Sequence, residues 1–319
     1  NRGHDGLMRR RCRRALTMCA IAAVLMTLAG CAAAGRADGS PTGIPVGQST
    51  RSLESGGLTR TFHVYRPDGL SGPAPLVVML HGGYGDGAQA ERAYGWDAQA
   101  DAGHFVVAYP DGVDRAWNAG SCCGIPARSG VDDVAFVTAM VDDIAAQTPV
   151  DSTRVYATGM SNGAMMALRL ACQSAMFAAI APVAGTLLTD CGHANPTSVL
   201  QIHGTADDRV PYGGGPGRAV TATGRPNVDG PSVESVNTTW RAIDNCAEPT
   251  SSSTNAVTTQ TATCPNSLVV QLISIEGAGH QWPGGLPSPL AQRLGDLPPP
   301  STAIDATATI WRFFADKHR

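Results

Sequence analysis

Apolar and polar positions alternate through residues 59–65, which reads as a strand with one buried face. Residues 75–80 (P-L-V-V-M-L) are continuously apolar between turn residues, as in a central strand buried on both faces. A helix is predicted over 88–100, a strand over 104–109 and a loop over 111–124. Residues 131–147 repeat Val134, Val137, Val141 and Ile144 at helical spacing. The run 155–158 reads as a short strand, and after a glycine-rich turn Met165, Met166, Leu168 and Leu170 mark a helix. Further strands are predicted over 178–183, 198–203 and 268–275, and further helices over 232–245 and 303–315. The stretches 212–230, rich in Gly and Pro, and 251–263, rich in Ser and Thr, read as loops. Strands alternating with helices argue for an α/β fold, a mainly parallel sheet covered on both faces.

The turn inside that pattern carries candidate chemistry. Gly159-Met160-Ser161-Asn162-Gly163 is a G-x-S-x-G between strand and helix, the setting of a nucleophile elbow. Side chains in place of the two glycines would collide with the neighbouring strand and helix. The backbone N–H of Asn162 would open the helix and face a reacting carbonyl oxygen. Alone, the motif also fits a plain Gly-Ser turn. A serine hydroxyl needs a base, and the base an orienting acid. In a fold of this kind the order is Ser, then Asp or Glu, then His, on loops at the strand C-termini. Asp207 and Asp208 follow the strand 198–203, and His280 follows the strand 268–275. The order is right, and spacing alone leaves the choice between the two aspartates open. His81 and His203 read as structural strand-end histidines, and His63, His104 and His193 have no matching context. The acidic pairs Asp132-Asp133 and Asp142-Asp143 read as a first-turn acid and a solvated helix face, not as metal ligands.

The chain of 319 residues is 43% hydrophobic, which suits one large domain with a sizeable core, expected over 51–319. Met8 is the expected start of translation. Five arginines between Arg9 and Arg14, then an apolar run over 15–29, read as an export signal occupying 1–30. The run is short for a membrane span. It ends Leu28-Ala29-Gly30-Cys31, which looks like a bacterial lipobox and makes Cys31 the candidate lipidation site and membrane anchor; ordinary cleavage is the alternative. Residues 31–50 read as a flexible tether. Without 1–30 the chain keeps 17 basic and 25 acidic residues, net −8, so nucleic acid is not an expected partner. No metal-site spacing or phosphate-binding glycine loop stands out, and no cofactor is expected.

Taken together, L-H-G-G, W-N-A-G-S-C-C-G, V-D-D-V-A-F, Y-A-T-G-M-S-N-G-A-M-M-A, A-P-V-A-G, I-H-G-T-A-D-D-R-V-P-Y and G-A-G-H-Q-W-P-G resemble the poly(3-hydroxybutyrate) depolymerase-like esterases. That group includes lipoproteins of the LpqC type and is similar to the feruloyl and acetylxylan esterases of carbohydrate esterase family 1. The resemblance runs from about Arg60 to the C-terminus. It implies an α/β-hydrolase fold and a secreted serine esterase acting through an acyl-enzyme, with Ser161 as nucleophile, Asp207 as acid and His280 as base. It also implies a second oxyanion donor from the loop after His81, at Gly83 or Tyr84, and Trp282 beside the acyl pocket. Trp117, on the loop 111–124, is expected to border the same pocket. Hydroxyalkanoate oligomers, feruloyl esters and acetyl esters all remain open as substrates. Two rivals are a non-catalytic envelope lipoprotein of the same fold and a peptidase. No polymer-binding domain or lid helix of the lipase kind is visible.

Six cysteines remain beyond Cys31, an even set in an exported chain. Cys246 and Cys264 would bracket the Ser/Thr stretch, and Cys172 and Cys191 would tie the helix after the elbow to a later loop. That leaves Cys122 to close a ring with Cys123 or to pair elsewhere.

Overall fold

The computed structural model describes residues 43–319 apart from 221–223, 225–226 and 288–296. The expected export signal, Cys31 and most of the expected tether lie outside the described residues. Twelve strands and seven helices are labelled in chain order. They are β1 (Gly47–Ser55), β2 (Leu58–Arg66), β3 (Ala74–Leu80), α1 (Gly87–Tyr94), α2 (Trp96–Gly103), β4 (Val106–Pro110), α3 (Gly124–Ser129) and α4 (Asp133–Gln147). Then follow β5 (Val150–Met160), α5 (Asn162–Gln173), β6 (Ala179–Val183), β7 (Ser198–Gly204), the two-residue strands β8 (Gly215–Pro216) and β9 (Asp229–Gly230), and α6 (Val233–Ile243). The chain closes with β10 (Thr250–Thr254), β11 (Val257–Thr263), β12 (Val269–Ile275) and α7 (Ala306–Phe314).

Ten strands form one sheet in the order β1-β2-β4-β3-β5-β6-β7-β12-β11-β10. The six from β4 to β12 are parallel, and antiparallel pairs extend the sheet at both edges. Every residue of β3, β4 and β6 is buried, as continuous apolar runs require of strands covered on both faces, and β7 is fully buried too, with Ser198, Gln201 and His203 among its buried side chains. Side chains alternate along β5. Val155 and Ala157 join the core beneath α4, α5 and α6, and Tyr156 and Met160 join the core beneath α1, α2 and α7. The result is the three-layer α/β architecture that the sequence pattern predicts.

Four local expectations are corrected. The stretch read as a Ser/Thr loop is the hairpin β10–β11. Exposed threonines are sound strand formers, and an edge hairpin needs little apolar surface. The predicted helix 88–100 is two helices, because Gly95 takes a left-handed φ of 72° between them. The strand β1 begins at Gly47 and Ile44 is buried, so the expected boundary between tether and domain at 50/51 falls inside β1. Asp133 is the first-turn acid of α4 as expected but is fully buried rather than solvated, and Asp132 is the N-cap, accepting from Ala135 N–H. Among the described residues no helix is long and apolar enough to cross a membrane.

Candidate active site

Strand β5 delivers Ser161 to a sharp turn at the C-terminal edge of the sheet. Ser161 has φ 56° and ψ −118°, a conformation that costs a non-glycine residue on the order of 1–3 kcal/mol. It is held there by its neighbours. Its N–H donates to Val183 O at 2.9 Å, and its carbonyl accepts from Met165 N–H at 3.0 Å. The flanking glycines have the steric role expected of them. A Cβ on Gly159 would lie 2.5 Å from the Gly163 carbonyl carbon, and one on Gly163 would strike the Leu80 carbonyl.

Two loops complete the arrangement at the Ser161 hydroxyl, one carrying His280 and one carrying Asp207 behind it. His280, five residues beyond β12, has Nε2 2.8 Å from Ser161 Oγ and Nδ1 2.7 Å from Asp207 Oδ2. Asp207, just past β7, has no exposed side-chain surface. Its Oδ1 accepts from the amides of Arg209 and Val210, each at 2.9 Å. Its Oδ2 also lies 3.3 Å from His203 Nε2, which in turn is 2.8 Å from Val210 O. Burial alone would push the Asp207 carboxyl up, but two imidazoles and their hydrogen bonds more than offset it and hold it well below the usual carboxylate range. Asp208, its neighbour, points to solvent and pairs with Arg218 at 3.0 Å. The arrangement can pass a hydroxyl proton to His280 while a fixed negative charge supports the resulting imidazolium.

The amides expected to face a reacting carbonyl oxygen lie at the start of α5 and on the loop after β3. The amides of a helix's first turn lack intrahelical partners, and Asn162 supplies the first of these. A Cβ on Gly83 would touch Asn162 Cβ at 3.9 Å, so the two backbones flank one spot. Tyr84 does not serve, because its N–H donates to Arg115 O at 2.8 Å; its ring is exposed. His81 shapes this loop. Its Nε2 accepts from Gly112 N–H at 2.9 Å and its Nδ1 lies 2.8 Å from Gly82 O, so the ring is neutral with the proton on Nδ1. Burial pushes its pKa down and keeps it so.

The two tryptophans expected on the pocket wall stand behind it. Trp117 is fully buried, donates through Nε1 to His81 O at 2.9 Å and lies against the His81 ring. Trp282 is 2% exposed, stacks on Tyr94 and donates to Thr307 Oγ1 at 3.1 Å. Neither indole has surface to offer a ligand; both brace loops that carry site residues.

The Asn162 side chain makes an unforeseen connection. Its Oδ1 accepts from Trp117 N–H at 2.7 Å, and its Nδ2 donates to Trp117 O at 3.1 Å. The next amide, Asn118 N–H, donates to Asp133 Oδ2 at 2.8 Å, and Asp133 Oδ1 is 2.8 Å from Arg60 Nη2. A buried ion pair thus anchors the loop clasped by the residue after Ser161. The Asn162–Trp117 and Arg60–Asp133 contacts escaped the sequence reading, since nothing in local spacing joins positions 45 or 73 residues apart; the His203–Asp207 contact spans only four residues, and His203 read as a structural strand-end histidine. Cys122 is bonded to Cys123, Cys172 to Cys191 and Cys246 to Cys264. The peptide bond between Cys122 and Cys123 is cis.

Residues 61–212 match the sequence profile of the family described as "Esterase PHB depolymerase". The chain is 36% identical to the "Putative esterase NocK" of Nocardia uniformis subsp. tsuyamanensis over 76% of each protein. It is 30% identical to feruloyl esterase B of Piromyces equi over 67% of this chain and 41% of that longer protein. In three dimensions it superposes on an acetyl xylan esterase from Aspergillus awamori with a TM-score of 0.53. That match covers 77% of this chain and 98% of the other at 16% identity, a likeness of fold.

Proposed function

The chain belongs to the esterase PHB depolymerase family and is a carboxylic ester hydrolase, and we propose that it works through Ser161, His280 and Asp207 by way of an acyl-enzyme. The observation that carries this reading is the continuous path from Ser161 Oγ through both nitrogens of His280 to the buried Asp207 carboxylate. Ser161 Oγ attacks the ester carbonyl while His280 Nε2 takes the hydroxyl proton. The negative charge that develops on the carbonyl oxygen is met by the N–H groups of Asn162 and Gly83. His280 returns the proton to the departing alkoxide. Water then repeats the sequence on the acyl-serine, giving the free acid and restoring Ser161. Asp207 stays ionised throughout, fixing the His280 tautomer.

Substrates of this reading are esters with a compact alcohol or sugar and an acyl group such as acetyl, feruloyl or hydroxyalkanoyl. Support for the feruloyl group comes from relatives bearing feruloyl esterase names, and for the hydroxyalkanoyl group from the description of the matched family. The proposal extends to the N-terminus: 1–30 is an export signal, and Cys31 carries a lipid that holds the enzyme at the cell envelope. Three disulfides suit an oxidising compartment.

The test is hydrolysis of a p-nitrophenyl ester series by the purified protein and its Ser161→Ala variant, with a fluorophosphonate probe mapped by mass spectrometry. The wild type turns over, the variant does not, and the probe sits on Ser161. Labelling at another residue, or near-normal turnover by the variant, overturns the assignment. For the anchor, metabolic labelling with a lipid precursor marks the mature protein and Cys31→Ala abolishes the mark; unlabelled protein free in the medium refutes it.

A further inference from the structure

Ser161, His280 and Asp207 account for the reacting atoms, but they give no use to the bonded pair Cys122–Cys123. The pair lies on a loop held to the start of α5 through Trp117 and Asn162. Cys123 N–H donates at 3.1 Å to Trp117 O, the same carbonyl that Asn162 Nδ2 holds. Ala119 N–H donates to Cys122 O at 2.6 Å, and Ser121 N–H donates to Leu188 O at 3.0 Å. Cys122, Ala119, Met165 and Val210 form a small apolar cluster separate from the two large cores, with Cys123, Leu188 and Val228 packed on it. The cluster is built onto the site itself. Met165 N–H is bonded to Ser161 O, and Val210 N–H to Asp207 Oδ1. Cys122, Met165 and Val210 are buried, while Cys123, Leu188 and Val228 keep part of their surface exposed.

Position relative to His280 gives this surface a direction. The His280 loop continues into Trp282, which is seated in the core beneath α1, α2 and α7. The disulfide cluster is separate from that core, packed on Met165 of α5 and joined through Val210 to the Asp207 loop. An ester poised on Ser161 must keep its leaving oxygen beside His280 Nε2, which protonates it. The acyl substituent therefore extends away from His280, and the partly exposed face of the disulfide cluster is an apolar surface built onto the Ser161 turn that is available to it. The side chains there are sulfur, isobutyl and isopropyl groups, which offer an apolar acyl chain dispersion contact and no hydrogen bond. A disulfide also presents that surface without rotamer freedom to lose, which favours binding.

We propose that Cys122–Cys123, Leu188 and Val228 form the acyl-side contact of the Ser161 site and select esters of apolar acyl chains longer than acetyl. This rests on the esterase reading of Ser161, His280 and Asp207. The test compares kcat/KM for p-nitrophenyl acetate, butyrate and hexanoate, and for acetate esters of several alcohols. The proteins are the wild type, the Cys122→Ser/Cys123→Ser double variant and the Leu188→Ser variant, which keeps the disulfide and its backbone bonds. Wild type favours butyrate over acetate, and both variants reduce the butyrate-to-acetate ratio by about tenfold, the scale of one or two methylenes in an apolar site. The ranking of alcohols stays as in the wild type. Ser161-dependent turnover with an unaltered acyl profile in the Leu188→Ser variant, or a change confined to the alcohol series, overturns this inference alone. Absence of Ser161-dependent turnover overturns the esterase mechanism and the inference with it.

Discussion

Asp207 and Asp208 are adjacent carboxylates in opposite surroundings. Asp207 is buried among two imidazoles and two amides, whereas Asp208 is half-exposed beside Arg209 and Arg218. Asp207→Asn is expected to lower kcat by on the order of 10³–10⁴, because an amide stabilises the wrong imidazole tautomer and no imidazolium. Asp208→Asn is expected to stay within about threefold of wild type, as exposed ion pairs contribute little. Steady-state kinetics on one ester decide it, and the reverse ranking moves the acid to Asp208. Sequence spacing offered both residues, and only the family resemblance separated them. The reason is physical: the two differ in burial, which is set by where Gly204-Thr205-Ala206 turns the chain. Asn162 is a similar case. Its amide donor and acceptor both engage Trp117, a match that only a carboxamide of this length provides. Asn162→Asp sets a carboxylate against Trp117 O and is expected to cost about 10–100-fold in kcat, with less change in KM. An equal rise in KM with kcat intact would show that the clasp serves binding rather than the developing oxyanion.

At the scale of elements, the disulfides divide by what they connect. Cys246 follows α6 and Cys264 follows β11, so their bond fastens the edge hairpin β10–β11 to the end of that helix across 18 residues. A loop of that length contributes about 3 kcal/mol through the unfolded chain. Replacing both cysteines with serine is expected to lower Tm by roughly 6–12 °C. The bond between Cys122 and Cys123 closes no chain loop, so its removal is expected to move Tm less. Thermal scans of the two double variants give the comparison, and a larger drop for the 122/123 variant contradicts it. The same hairpin marks where pattern reading stops. Central strands were legible because burial on both faces demands continuous apolar runs, as in β3 and β6. The strand β10 is exposed at all five positions, so no hydrophobic period exists to read. The break at Gly95 was hidden for the opposite reason: helix-forming residues flank it on both sides, and only the left-handed backbone at one position separates two helices.

For the molecule as a whole, two buried carboxylates pull stability in opposite directions with pH. Asp207 is held below its ordinary range, so its contribution is present above about pH 4 and is lost on acidification. Asp244, which follows α6, is pushed up to about 7 by burial, partly offset by Thr197 N–H at 3.0 Å; its other oxygen is buried without a hydrogen-bond partner. A folded-state value above the unfolded one means that the native state binds the extra proton between about pH 4 and 7. Stability from this group therefore falls as pH rises through that window and is level above it. Glu91, also raised to about 7 by burial, acts in the same sense. Asp244→Asn removes the cost of an ionised buried carboxylate. The variant is expected to be more stable than wild type by about 2–4 kcal/mol at pH 8, with the gain vanishing near pH 4. Denaturant titrations at the two pH values measure it, and a difference independent of pH would show that Asp244 does not titrate in this window. Because Asp244 lies beside the start of β7 and Asp207 beyond its end, the substitution is expected to leave the pH profile of kcat unchanged. Stability should then change with pH through Asp244 in a window where turnover does not depend on that group.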